Sequence, residues 1–162
     1  MIQKPLTDTE ENTRTFLTNL PVFNSFDDDE LTLLARHMSY VQLNKGEFLF
    51  VEGDKGTFMG FVLRGLLEVF KTIDTGESVI IARLTKGSPI GEMALIDKSP
   101  RSASVLATQP TTLITLTDKG FDLLMEKSPA LGVKVIQKIA KLLSLNMRRT
   151  SSRLADLLQT KK

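Results

Sequence analysis

The sequence predicts a mainly β fold flanked by helices: a barrel or sandwich with helical segments before and after it. Three observations predict it. Between Tyr40 and Thr117, short apolar segments rich in β-branched and aromatic residues alternate with glycine-marked turns. Before that stretch, an acidic cluster opens a segment with helical apolar spacing. After it, from Asp118, two more helical segments follow, and the second reaches Leu158 with no proline beyond Pro129. A chain of 162 residues suits one ordinary domain with a real core.

The N-terminal helical part covers residues 1–38. Residues 1–7 are polar, carry Pro5 and are expected to be disordered. Residues 8–19 read as a short helix, with Asp8 or Thr9 as cap and Phe16 and Leu17 inward. Asp27, Asp28, Asp29 and Glu30 place negative charge where a helix macrodipole favours it, and Leu31, Leu34, Ala35 and Met38 then share a face. That spacing predicts a helix over about 27–38.

The β part covers 39–117. Its strand candidates are YVQL (40–43), EFLFVEG (47–53), GFVLRG (60–65), LLEVFKT (66–72), SVIIARL (78–84), SASVLA (102–107) and TTLITL (111–116). Asp74-Thr75-Gly76-Glu77 reads as a hairpin turn.

The C-terminal helices cover 118–160. Asp118 is expected to cap DKGFDLLMEK, with Phe121, Leu124 and Met125 inward. Ser128 caps the last helix and Pro129 takes its first position. Ile136, Ile139, Leu143, Met147, Leu154 and Leu157 form a stripe, widened by Leu131, Val135, Leu142 and Leu145. This is more apolar surface than one barrel flank needs, so a partner helix from a second copy is expected. The alternative is that the helix folds back and buries the stripe on its own barrel.

Composition removes several function classes. The absence of cysteine excludes disulfides, zinc–thiolate sites and a cysteine nucleophile. His37 is the only histidine, so a His-rich metal site is excluded. No acid pair, Ser-His-Asp set or phosphate loop is evident, so neither catalysis nor a cofactor is expected. No apolar run approaches membrane-spanning length, and the polar N-terminus lacks a secretory core. A cytoplasmic protein without a membrane segment is expected. Charge is uneven: residues 1–30 hold seven acids against Lys4 and Arg14, and residues 131–162 hold eight bases against Asp156. A basic tail can bind nucleic acid. Its interleaved leucines favour a solvated helix face lying near the acidic N-terminal segment.

The chemistry concentrates in GEMALIDKSPRSASV, residues 91–105. Gly91 permits a tight turn, and the helical turn it opens points free N–H groups outward. Glu92 is an acceptor-only group that suits a sugar hydroxyl. Arg101 offers a planar fork that fits two phosphate oxygens. Ser102, Ala103 and Ser104 leave room for a phosphate near the backbone, and the serines add hydroxyls. The combination suits a ligand with hydroxyls and one negative charge.

This run closely resembles the phosphate-binding cassette of cyclic nucleotide-binding domains, roughly G-E-[LM]-A-L, a short turn, then P-R-x-A-[ST]-V. Gly91, Glu92, Met93, Ala94, Leu95, Pro100, Arg101, Ala103, Ser104 and Val105 fit it in register. KGEFLFVEGD (45–54) and FVLRGLLEVF (61–70) resemble early strands of the same family. The resemblance spans about residues 20–155. It implies an antiparallel β-roll, jelly-roll-like, and a cAMP or cGMP sensor without catalysis. Arg101 would hold the phosphate and Glu92 the ribose 2′-hydroxyl. Gly91, Met93, Ala94, Pro100 and Ala103 would shape the cassette. Ser102 sits where a hydroxyl can bond the phosphate, or the guanine amino group in cGMP-preferring members; a small residue that merely fits is the equal alternative. The C-terminal helix would act as a lid. Asn146, with Met147 and Arg149, lies where that helix could face the base, although a polar helix-interface role also suits Asn146. Ile90 departs from the aromatic residue many members carry before the Gly-Glu pair, and Pro89 is a second departure. The sequence ends soon after the helix, so no DNA-binding domain is expected. A homodimer or an unidentified effector protein is the expected output. The rival reading is a module that no longer binds nucleotide and docks on a protein partner.

Overall fold

The structure is a computed structural model and describes residues 8–159. The disorder expected for residues 1–7 falls outside the described residues.

Helix α1 (Asp8–Thr18) and a single 3-10 turn (Pro21–Phe23) lead into α2 (Asp28–Arg36). Asp8 and Thr9 lie inside α1, whose buried face carries Thr13, Phe16 and Leu17. Asp27 caps α2 in a reciprocal box: its carboxylate accepts from the Glu30 amide, and the Glu30 carboxylate accepts from the Asp27 amide. The predicted helix overran its end. Arg36 is its last residue, His37 its C-cap, and Met38 opens strand β1 by pairing with Leu116.

Eight strands form two four-stranded antiparallel sheets. The strands are β1 (Met38–Leu43), β2 (Phe48–Phe50), β3 (Phe58–Arg64), β4 (Leu67–Thr72), β5 (Ser78–Leu84), β6 (Pro89–Ile90), β7 (Ser104–Ala107) and β8 (Thr111–Thr117). One sheet has the order β1-β8-β3-β6 and the other β2-β7-β4-β5. The hairpin turn forms as expected, with the Gly76 amide donating to the Ile73 carbonyl at 2.8 Å. The strands at EFLFVEG and SASVLA are shorter than the apolar runs, because Val51–Gly53 and Ser102–Ala103 turn towards each other. Helix α3 (Glu92–Asp97) interrupts the strands between β6 and β7.

Period-two alternation sorts side chains into two cores. Phe50, Val62, Leu67, Val69, Ile90, Val105, Ala107 and Leu113 fill the space between the sheets. Met59, Phe61, Ile114 and Leu116, on the opposite face of the first sheet, meet the helices. That sheet is therefore covered on both sides, which explains why β8 is buried along nearly its whole length. Ile90, the departure noted before the Gly-Glu pair, is 9% exposed and supplies inter-sheet core.

Helix α4 (Asp118–Lys127) is capped by Thr117, whose hydroxyl accepts from the Gly120 amide, and not by Asp118. Phe121 and Leu124 are buried in it and Met125 is partly so. Helix α5 (Pro129–Gln159) has two halves. Leu131, Val135 and Ile139 are buried on the molecule's own helices and first sheet, with Ile136, Leu142 and Leu143 partly so. Beyond Asn146 every described residue is exposed, including Met147, Leu154, Leu157 and Leu158. The fold-back reading therefore describes only the first half of the stripe. Near its start, the Lys134 amine pairs with Glu30 at 2.5 Å and lies over the Phe26 ring, so basic helix and acidic segment do meet.

Candidate functional site

The cassette starts where β6 ends. Gly91 takes a left-handed conformation (φ +76°) and turns the chain into α3. A Cβ there would lie 2.4 Å from Arg101 Nη1 and 3.0 Å from the Phe58 carbonyl oxygen, so glycine is needed for space as well as for φ. Ala94 on α3 packs so closely on Gly56 that a Cβ at 56 would fall 2.1 Å from the alanine Cβ. Lys98 ends α3, itself left-handed (φ +57°), and its amine lies 3.3 Å from the Asp118 carboxylate. Pro100 and Ser102 are exposed on either side of Arg101.

Arg101 is 4% exposed. Its backbone is pinned to the β2–β3 connection: its amide donates to the Asp54 carbonyl at 2.8 Å, and its carbonyl accepts from the Gly53 amide at 2.9 Å. Its guanidinium lies over the rings of Phe50 (4.0 Å) and Phe58 (4.5 Å). Nη2 donates to the Phe58 carbonyl at 2.8 Å and Nη1 to the Gly91 carbonyl at 3.3 Å. Nε is buried with no hydrogen-bond partner. Burial pulls the guanidinium's pKa below its ordinary value; Asp118, Asp54 and Glu92 act against that. The charge is thus held by dipoles, rings and distant acids. A buried guanidinium with an idle donor is a ready anion receptor.

Glu92 does not pair with Arg101, although the two share the cassette. It is 9% exposed, and its Oε1 accepts from the Asn146 side-chain amide at 3.1 Å. A carboxylate only accepts, so the amide must present its nitrogen. Among the residues named on the last helix, Asn146 reaches the cassette. Met147 is 73% exposed, and Arg149 lines a different cleft with Asn12, Tyr40 and Lys86. Ser104 is buried and its hydroxyl accepts from the Glu52 amide at 2.9 Å, a contact that ties the cassette to the turn after β2. Ala103 is buried beside it, whereas Met93 is half exposed on α3.

Sequence reasoning missed Phe50, Phe58, Asp54 and Asp118 as neighbours of Arg101. Phe50 read only as a strand residue, Phe58 lay outside the strand candidates although it opens β3, and Asp118 read only as a helix start. Their approach to the arginine is set by tertiary packing, for which spacing carries no signal.

Residues 40–128, more than half of the chain, match the family described as cyclic nucleotide-binding domain. The chain belongs to this family. The crystal structure of a cyclic nucleotide-binding domain from Methylobacillus flagellatus is 30% identical, covers 89% of this chain and 81% of its own, and superposes with a TM-score of 0.79. The cyclic AMP receptor protein of Thermus thermophilus is 30% identical over 85% of this chain. A cAMP-dependent protein kinase regulatory subunit of Mycosarcoma maydis is 28% identical over 73%. The chain spans 62% of the receptor's length and 23% of the kinase subunit's. This cyclic nucleotide-binding domain is therefore a β-roll homologous to cAMP-binding regulators. Among the described residues, no helix is long and apolar enough to cross a membrane, and no group of three or more acids or histidines could hold a metal ion.

Proposed function

We propose that this chain is a non-catalytic, cytoplasmic sensor that binds cAMP or cGMP at the cassette and transmits occupancy through α5. The observation that carries the reading is Arg101: a guanidinium 4% exposed, with no direct carboxylate partner and a buried Nε that donates to nothing. A cyclic monophosphate brings one negative charge and paired oxygens to such a group. Glu92, in the same cassette, offers acceptor capacity to the ribose 2′-hydroxyl, and the exposed Ser102 hydroxyl can add a donor to phosphate. Gly91, Ala94 and Ala103 keep the backbone accessible.

A ligand that favours one helix arrangement by 100-fold supplies about 2.7 kcal/mol of bias, enough to invert a modest pre-equilibrium. The exposed apolar residues Met147, Leu154, Leu157 and Leu158 favour a second copy of α5 as the structure that receives this bias.

Calorimetric titration with cAMP and with cGMP tests the reading. Micromolar or tighter binding of one of them is expected. Arg101→Ala is expected to weaken it about 10- to 150-fold, the worth of a charge-assisted bond of roughly 1.5–3 kcal/mol. Arg101→Lys keeps the charge and loses the fork, which guards against a folding artefact in the alanine variant. No binding of either nucleotide by folded protein would overturn the proposal in favour of the docking module.

A further inference from the structure

Asn146 and Glu92 are 54 positions apart, yet their side chains bond. Glu92 stands at the first turn of α3, directly after the turn that holds Arg101. Asn146 is the last residue of α5 that is not exposed; from Met147 onward the helix stands in solvent. The carboxylate is thus the point where the distal half of α5 is fastened to the cassette.

We infer that Asn146 is a positioning residue for the nucleotide site: its amide clamps one oxygen of Glu92, aims the carboxylate, and fastens α5 when ligand is bound. This rests on the proposed nucleotide-binding function. Three facts support cooperation between amide and ligand over competition. A carboxylate has about four acceptor positions, and the amide uses one, on Oε1. Glu92 is nearly buried, and the two hydrogen bonds that the Arg101 guanidinium makes go to the carbonyls of Gly91 and Phe58, not to this carboxylate. A second donor from a ribose hydroxyl therefore adds to a poorly supplied anion and need not displace the first. Because the amide comes from α5 and fixes the carboxylate in one orientation, a ribose hydroxyl that binds that orientation favours the docked helix, and by linkage the helix docks more tightly when nucleotide is present.

The test uses the full chain, with Asn146→Leu, Asn146→Asp and Asn146→Gln. Nucleotide affinity is measured by calorimetry, and amide hydrogen exchange of residues 140–150 is followed with and without cAMP or cGMP. The expected result is a five- to twentyfold weaker affinity in Asn146→Leu and a larger loss in Asn146→Asp, where two carboxylates face each other. Asn146→Gln is expected to recover part of the affinity. In the unaltered protein, ligand slows exchange across 140–150; in the Leu and Asp variants that slowing disappears. Position 146 is only partly buried, at the end of the packed half of α5, so these variants should fold, and circular dichroism checks it. If unaltered protein binds and the Leu variant binds equally or more tightly, or keeps its exchange protection, the inference fails while the sensor reading stands. If unaltered protein binds neither nucleotide, the sensor reading itself fails and takes this inference with it.

Discussion

Replacing Gly91 with alanine separates the two demands the structure makes on that residue. The backbone is left-handed, at φ +76°, and a Cβ there would sit 2.4 Å from Arg101 Nη1. Gly76 supplies the control: its φ is +83°, but a Cβ would meet nothing within 4 Å. Alanine at 76 therefore suffers only the left-handed backbone cost, about 1–2 kcal/mol, offset by roughly 0.4–1 kcal/mol from a less flexible unfolded chain. A net loss of about 1 kcal/mol is expected there. Alanine at 91 carries the same cost and must also push the guanidinium from its place, breaking its bonds to the Phe58 and Gly91 carbonyls. A charged-donor bond is worth about 1.5–3 kcal/mol, so losing both on top of the ~1 kcal/mol backbone cost should total roughly 4–7 kcal/mol. For a chain of this size that is about 8–28 °C in Tm. Urea denaturation of both variants, with midpoint and slope fitted together, measures the difference. Gly91→Asn adds a discriminating arm, because asparagine tolerates a left-handed backbone but still carries a Cβ. It should remain closer to Gly91→Ala than to wild type. If Gly91→Ala costs no more than Gly76→Ala, the guanidinium does not occupy the place described here.

Two further outcomes follow from the same geometry. Burial, with a smaller contribution from Lys127, lowers the His37 pKa below its ordinary value, so the unfolded chain takes up the proton first. Stability is then whole above about pH 6.5 and declines as pH falls from there towards the folded-state pKa. His37→Asn should flatten the stability profile between pH 7 and pH 5 in thermal melts, and an unchanged slope would assign the decline to other groups. Leu154→Lys with Leu157→Lys places charge on the exposed distal face of α5. Sedimentation velocity should show the unaltered protein as a dimer and the double variant as a monomer, and a monomeric unaltered protein would remove the second-copy reading.

Local chemistry made most of this legible in the sequence. The cassette is contiguous, so Gly91, Glu92 and Arg101 announced themselves by order and spacing, and β-branched runs between glycines announced the strands. Errors came where two local signals competed. Met38 fits the helical face of Leu31 and Leu34, yet pairing with Leu116 draws it into β1. Asp118 and Thr117 are both good caps, and the hydroxyl takes the position because the carboxylate faces Lys98. The wide stripe on α5 was read as one surface, but the barrel is shorter than the helix, so only the first half finds a partner within the chain. Nothing local could show that Arg101 lies between Phe50 and Phe58, or that Asn146 meets Glu92, since both contacts join segments far apart in sequence.

The cassette touches the two C-terminal helices through different atoms, and this decides what a ligand could move. Towards α4, Lys98 pairs with Asp118, and the Asp118 amide donates to the Thr57 carbonyl one residue before Phe58. Asp118 is also the strongest of the three acids supporting the charge on Arg101. On the proposed sensor reading, a phosphate at the guanidinium would supply the counter-charge that Asp118 supplies from a distance, and would leave the Lys98–Asp118 pair and the Thr57 bond in place. Towards α5 the fastening is Glu92 with Asn146, which a ribose hydroxyl would reinforce. On the same reading, α4 keeps its contacts while α5 is drawn to the cassette at Asn146, so a ligand would tilt α5 about that point. From Asn146 to Gln159 the helix is a lever of about 20 Å at 1.5 Å per residue. A tilt of about 10° swings its far end sideways by roughly 3 Å over that length. Such a swing would change the crossing angle of the proposed helix–helix contact through Leu154, Leu157 and Leu158 without any rearrangement of the roll.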